Sequence, residues 1–476
     1  MRDDADPAAA EAADPAGAAL VPLTVRDEEG NLSDAFRSRV EEAISARDVD
    51  ALKALASDLH EADMGDLIEE LDADERRRLI EMLGPDFDFT ALTELDETVR
   101  LSILRSLSPL TVARGMRDLD SDDAVYILED LDEDEMAAVL EHLPAPERVA
   151  LQRSLDYPEE SAGRRMQTEF IAVPPFWTVG RTIDYMRETA DLPDTFYEVF
   201  IVDPAYRLVG SVPLDRLLRT RRPVLMSAVK AEQAKVVKAS EDQEDVARMF
   251  ERYNLVSAPV VDDAGRLVGV MTIDDVVDVI QEEADEDLRA LGGVRSDEEL
   301  SDTVAFTARS RLPWLVVNLG TAFVSASIIS LFEGTIEKMV ALAILMPIVA
   351  SMGGNAGTQT MTVAVRALAT KELSSHNARR IVLREVLVGL VNGTTLACLL
   401  GLIAGFWFAN VHLGVVISSA LILNMVAAGL FGILIPIVIA KLKLDPAVAS
   451  GVFVTMVTDT VGFFAFLGLA TWWFAT

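Results

Sequence analysis

One cysteine, Cys398, and four histidines are all that this 476-residue chain offers in thiol or imidazole ligands. A single thiol excludes an intrachain disulfide and a thiolate metal centre. His60, His142, His376 and His412 are scattered and form no ligand pattern. Positive charge is scarce too: 42 Lys and Arg stand against 77 Asp and Glu, a net charge of -35. So acidic a surface argues against nucleic acid as a partner. There is no phosphate-binding glycine loop and no nucleophile–base pair, so the chain reads as a non-enzyme. The opening MRDDADPAAAEAADPAGAA lacks the apolar core and basic flank of a signal peptide. Residues 1–31 read instead as a disordered acidic tail, and membrane insertion is expected to use later segments.

What is present is divided. Half of the residues are apolar, which conflicts with that net charge unless the two properties occupy different regions. They do: acid dominates up to about residue 310, and Leu, Val, Ala, Ile, Gly and Phe dominate after it. The acid reads either as general salt adaptation or as a cation-sensing surface. In the final apolar stretch, Pro446–Phe474, Asp459 is the lone ionisable side chain. At ~1.5 Å of rise per residue it would lie near the centre of a bilayer about 30 Å thick. A carboxylate there costs about 2.5–3.5 kcal/mol on insertion scales, so it belongs beside water or an ion. A cation carrier or channel is the reading that follows.

The acidic region has two internal repeats. Within residues 32–155, Leu67-Ile68-Glu69-Glu70-Leu71-Asp72-Ala73-Asp74-Glu75 is echoed by Ile127-Leu128-Glu129-Asp130-Leu131-Asp132-Glu133-Asp134-Glu135, and Leu95-Asp96-Glu97 opens a similar unit between them. Stacked helical hairpins are expected. Further on, Val202-Asp203-Pro204-Ala205-Tyr206-Arg207-Leu208-Val209-Gly210 matches Val261-Asp262-Asp263-Ala264-Gly265-Arg266-Leu267-Val268-Gly269. Each copy follows a Met (Met166, Met226) and a helix, and its flanking apolar runs read as buried strands. This resembles a tandem pair of CBS domains over about 163–283. Such pairs often hold adenine nucleotides through a Ser/Thr-x-x-Asp element. Thr272-Ile273-Asp274-Asp275 has it, whereas Pro213-Leu214-Asp215-Arg216 breaks it, so ATP binding stays open. Residues 273–292 then form a densely acidic helix, either a solvated linker or one held by cations against another acidic surface.

Five apolar spans can be drawn at about 313–332, 339–364, 386–409, 415–440 and 447–474. Arg and Lys flank the first and fill the loops after the second and fourth, while the other two loops are almost without them. The positive-inside rule then places the N-terminal domains in the cytoplasm and the C-terminus outside. In span two, Pro347 and the run Gly353-Gly354-Asn355-Ala356-Gly357-Thr358-Gln359 read either as loosened helix lining a cavity or as close packing through small residues. Asn424 in span four reads as an interhelical hydrogen bond rather than a ligand.

The order of these parts, with Arg311-Leu312-Pro313-Trp314-Leu315, Gly353-Gly354-Asn355-x-Gly-x-Gln359, Asp445-Pro446-Ala447 and Thr458-Asp459-x-x-Gly462, resembles the MgtE family of magnesium transporters. The resemblance covers about 32–476. It implies a multidomain membrane protein: an all-α superhelical N domain (32–160), α/β CBS domains (161–222 and 223–283), a connecting plug helix (284–310) and a five-helix transmembrane domain (311–476). It implies a homodimer in the cell membrane that conducts Mg²⁺ inward and is held shut by cytosolic Mg²⁺. Asp459 would be the pore ligand, with Asn355, Gln359 and Thr455 lining the pore. Glu244, Asp275, Asp278, Glu283, Glu286, Asp287 and Asp445 would hold regulatory Mg²⁺. Val452 stands where the family often has Pro, Asn254 where it may have a sensing carboxylate, and Thr455 where it has a smaller residue. Two alternatives remain: transport of Mn²⁺, Co²⁺ or Ca²⁺, and a non-conducting membrane sensor.

Overall fold

The computed structural model describes residues 24–57, 59–190, 192–193, 195–231, 234–295, 298, 303–373 and 376–474. Most of the expected tail, residues 1–23, lies outside them, as do 296–297 and 299–302 of the expected plug segment. The chain divides into two compact units, Met1–Val279 and Ile280–Thr476.

Among the described residues of the first unit, nine α-helices come first: α1 (Asp34–Ala46), α2 (Val49–Ala56), α3 (Glu61–Glu70), α4 (Ala73–Leu83), α5 (Glu97–Ser106), α6 (Pro109–Gly115), α7 (Ser121–Glu129), α8 (Glu133–Glu141) and α9 (Ala145–Leu155). The sequence repeat has a local cause. Asp72 and Asp132 each cap a helix, and Glu75 and Glu135 reach back to the cap backbone, forming a capping box at the start of α4 and α8. The leucines beside them bury into one core: Leu67, Ile68, Leu71, Ile127, Leu128 and Leu131 are all at most 7% exposed. Arg100 of α5, itself buried, pairs with Asp130 and stacks 4.4 Å over Tyr126.

Two matching three-stranded sheets follow. The first contains β1 (Ala172–Val173), β2 (Glu198–Val202) and β3 (Leu208–Pro213), with α10 (Val179–Glu188), α11 (Leu214–Arg219) and α12 (Met226–Val229). The second contains β4 (Val237–Lys238), β5 (Ser257–Val261) and β6 (Leu267–Thr272), with α13 (Gln243–Tyr253). In each the first strand runs parallel to the second and the second antiparallel to the third. Asp203 and Asp262 shape the same turn, each accepting from the amides two and four residues on. That turn needs a left-handed residue, supplied by Gly265 (φ 75°) in one copy and by Tyr206 (φ 62°) in the other.

α14 (Ile273–Leu291) begins in the first unit and ends in the second. Five helices of the second unit are long and apolar enough to cross a membrane. They are α15 (Val304–Ser330), α17 (Ala341–Ala369), α18 (Ala378–Trp407), α19 (Val411–Lys441) and α20 (Pro446–Phe474), with the short α16 (Glu333–Lys338) after the first. Span two is not loosened. α17 is continuous through Pro347 and the glycines. The small residues serve packing: a Cβ on Gly357 would lie 2.7 Å from Val454, and one on Gly389 of α18 would lie 2.5 Å from the Met425 carbonyl.

Candidate ion pathway and acidic junctions

Asp459 sits half-buried near the middle of α20. Among the described residues none bonds to its carboxylate. Thr455, one turn earlier, is exposed and turns its hydroxyl back to the Gly451 carbonyl at 2.9 Å. On α17, Ser351, Asn355, Thr358, Gln359, Thr362 and Arg366 are exposed, while Gly353, Gly357, Thr360, Met361 and Ala364 are buried. Spacings of three and four residues put the polar set on one stripe of the helix. The helices bearing the stripe and Asp459 touch at Gly357, which packs on Val454 and Thr458. Asn355, Gln359 and Thr455 are therefore among the exposed polar groups of two adjacent spans, with Asp459 half-exposed beside them. The packing face is the small-residue side of the same α17.

A second acidic place lies in the first unit. Asp122, at the start of α7, is 8% exposed and hydrogen-bonds Asp275 at the start of α14. Two carboxylates can share such a contact only with a proton or a cation between them. Burial, then the Asp275 charge, pushes the Asp122 carboxyl well up. Burial also pushes Asp275 up, partly offset by its bonds to Asp122 and Thr272. Asp123 is raised to about 7 by burial and by Asp275, Asp120, Asp274 and Asp278. Asp278 is raised by burial and by Asp274. Glu94, raised chiefly by burial, feels Asp278, Glu61 and Asp66. Sequence reasoning named Asp275 and Asp278 but missed Asp122 and Asp123. Their position at a helix N-terminus gave them an ordinary explanation.

In the second unit, Asp287 of α14 faces Asp445 of the α19–α20 loop. Burial and the Asp445 charge together push its carboxyl up. Asp445 also caps α20, accepting from the Ala447 amide at 2.8 Å. The end of α14 is seated by Ala290, which packs with Met361 and Val365 of α17 and Ala447 and Val454 of α20. Glu283 and Glu286 are half-buried on the same helix. Glu244 pairs within its own helix, 2.6 Å from Arg248, which also holds Asp245. Among the described residues no three His, Cys, Asp or Glu side chains converge enough to hold a bare metal ion. Pairs of carboxylates do suit Mg²⁺, which keeps most of its waters and is met by one or two carboxylates.

Thr272 and Asp275, the expected ribose-binding pair, bond to one another. With Asp275 also bonded to Asp122, they face the acidic junction. A cavity of the CBS pair, about 470 Å³, lies at the first copy's Asp215 instead, with Tyr197, Glu198, Ser211, Lys235 and Asn254 in its lining. Glu198 is raised by burial and accepts from Ser257 at 3.0 Å. Lys235 lies 3.7 Å over the Tyr253 ring. This lining suits the hydroxyls of a nucleoside.

Comparison with known proteins accords with this geometry. Residues 346–469 match a divalent cation transporter family, MgtE; 59–160 match the MgtE intracellular N domain; and 226–282 match the CBS domain. The magnesium transporter MgtE of Bacillus subtilis is 31% identical over 88% of this chain and 93% of its own. That of Enterococcus faecalis is 37% identical over 66% of this chain and 69% of its own. The crystal structure of the cytosolic domain of the Mg²⁺ channel MgtE in complex with ATP aligns with 51% of this chain and 99% of its own, at 28% identity and a TM-score of 0.48. By its similarity along almost the whole of a curated relative, this chain belongs to the MgtE family of magnesium transporters.

Proposed function

We propose that this protein takes up Mg²⁺ as a homodimer, with the pathway between the membrane units of two copies. The observation that carries the reading is the polar stripe of α17 beside the half-buried Asp459 of α20. Such a stripe in an apolar span belongs against water or protein, not lipid. Two copies of Asp459 meeting a hydrated Mg²⁺ would offset the burial of both carboxylates, with Asn355, Gln359 and Thr455 meeting the water shell. The basic loops support an orientation with the N-terminal domains in the cytoplasm and the C-terminus outside.

Regulation is proposed to use the two crowded junctions. At each, carboxylates repel unless a cation or proton lies between them. Internal Mg²⁺ therefore favours the associated, closed state over the separated one. Asp275 and Asp278 would act with Asp122 and Asp123; Glu283, Glu286 and Asp287 would act with Asp445. The proposed boundaries are 32–160 for the N domain, 161–222 and 223–283 for the CBS copies, 284–310 for the plug segment and 311–476 for the membrane domain. Divalent-ion flux into liposomes, measured against internal Mg²⁺, tests the reading. Mg²⁺ flux that falls as internal Mg²⁺ rises supports it. A protein that passes Mn²⁺, Co²⁺ or Ca²⁺ but no Mg²⁺, or no ion at all, overturns it.

A further inference from the structure

Asn424 is the polar group at the heart of the membrane unit that the ion pathway leaves unused. Its side chain is completely buried in α19, at 0% exposure. The amide nitrogen donates to the Val349 carbonyl of α17 at 2.9 Å. That oxygen belongs to the helical turn ending at Gly353. The amide oxygen is buried and accepts from no described group. Exchanging the amide's nitrogen and oxygen would set two carbonyl oxygens against each other, so the bond to Val349 fixes the orientation.

Glycine bounds this side chain on two helices. A Cβ on Gly353 of α17 would lie 2.1 Å from the Asn424 nitrogen, and one on Gly462 of α20 would lie 2.6 Å from it. No side chain fits at either place while the amide keeps its position. Gly353 opens the run that leads to Asn355 and Gln359. Gly462 closes the Thr458-Asp459-x-x-Gly462 run, less than one helical turn from Asp459. One buried amide is thus wedged between the two helices that present the ion-facing groups. An apolar side chain would fill the space. It would not also bond the α17 backbone and so set the helices' height relative to each other.

We propose that Asn424 is a positioning residue. It sets the axial register of Asp459 on α20 against Asn355 and Gln359 on α17, and through that register the discrimination among divalent cations. The role rests on the pathway proposed above but concerns a residue that touches no ion. Its test separates the space that Asn424 fills from the hydrogen bond that it makes. In full-length protein, Gly462→Ala adds a methyl that must displace either the amide or α20. Gly462→Ala with Asn424→Ala restores the space. Asn424→Leu keeps the volume and removes the hydrogen bond.

The readouts are Mg²⁺ and Ca²⁺ fluxes in liposomes, with elution volume and thermal midpoint reporting folding. A third readout needs no transported ion: the labelling rate of Asp459→Cys, in a Cys398→Ala background, by a charged thiol reagent. Gly462→Ala is expected to change the labelling rate and the Mg²⁺-to-Ca²⁺ flux ratio by roughly tenfold; the double variant, which relieves the clash but lacks the bond to Val349, is expected to recover the thermal midpoint and not the labelling rate or the ratio. Asn424→Leu is expected to insert normally and lower the flux ratio. If the double variant recovers the parental labelling rate and flux ratio without the hydrogen bond, or Asn424→Leu keeps the parental ratio, the positioning role is wrong. If the unsubstituted protein passes no Mg²⁺, the pathway reading fails, and the labelling rates still decide the role of Asn424.

Discussion

The first unit crowds its carboxylates together at Asp122, Asp123 and Asp275, whereas the membrane unit isolates one, Asp459, in an otherwise uncharged helix. The two arrangements ask different things of a cation. In the crowd, neighbours raise one another's proton affinity, and a proton can stand in for a metal ion. Occupancy there is adjustable, which suits a sensor. Among the described residues the isolated carboxylate has no such neighbour. Its burial is offset only by what comes to it from water or from a second copy.

Removing charge should therefore act oppositely at the two places. Asp459→Asn is expected to lower Mg²⁺ uptake roughly a hundredfold or more, since the hydrated cation then meets an apolar span with no carboxylate to balance its charge. Growth of a magnesium-dependent strain and flux in liposomes would both report it, with membrane insertion unchanged. Wild-type growth at low Mg²⁺ would remove Asp459 from the pathway. Asp122→Asn should instead relieve a repulsion. An amide can hydrogen-bond Asp275 with no proton or cation between them, so closure would need less Mg²⁺. The internal Mg²⁺ concentration that halves the flux should fall by about tenfold. A rise, or a fully open protein, would mean that the Asp122 carboxylate is needed as a ligand and not merely screened. Neutralising Glu283, Glu286 and Asp287 together removes both repulsion and ligands next to Asp445, and is expected to leave flux insensitive to internal Mg²⁺.

Titration offers a gentler version of the same contrast. The junction carboxyls are raised in the folded protein, so they bind protons more tightly there than in the unfolded chain. The stability they contribute is present at acid pH and is lost as pH rises, for Asp123 between about 4 and about 7. Without divalent ions, full-length protein should resist proteolysis of its N-terminal helices better near pH 5.5 than near pH 8. The difference should be on the order of a few kcal/mol. Added Mg²⁺ should flatten the dependence. No flattening would show that the junction is a proton site and not a cation site.

Much of this was legible in the sequence where a local rule decides the outcome. A lone Asp in a long apolar run, five such runs, the twin Asp turns of the CBS copies and the Leu-Asp capping repeats each need only neighbouring residues. The Asp122–Asp275 contact was hidden because the partners are far apart in the chain and each has a local excuse, a helix N-terminus in one case and a nucleotide motif in the other. The state of α17 was also undecidable from its own residues. Glycine and proline weaken an isolated helix, but here the glycines let α19 and α20 approach, which offsets that cost. Exposed polar and buried packing residues alternate on one helix, and only the neighbours show which is which.

Not every acid in the helical domain belongs to a junction, and that sets the smallest test. Asp72 is exposed, and its carboxylate accepts from the Asp74 and Glu75 amides at 2.9 and 2.8 Å. Its charge is answered by the helix it starts, so no cation is required. Asp72→Ala should cost about 1 kcal/mol of stability in thermal unfolding. It should leave the internal Mg²⁺ dependence of flux unchanged to within about twofold, against the shift of about tenfold expected for Asp122→Asn. Equal shifts from the two substitutions would mean that the domain responds to its total charge, and that the crowding of Asp122, Asp123 and Asp275 has no special role. Unequal shifts in the stated order would separate acids that build the domain from acids that make it responsive.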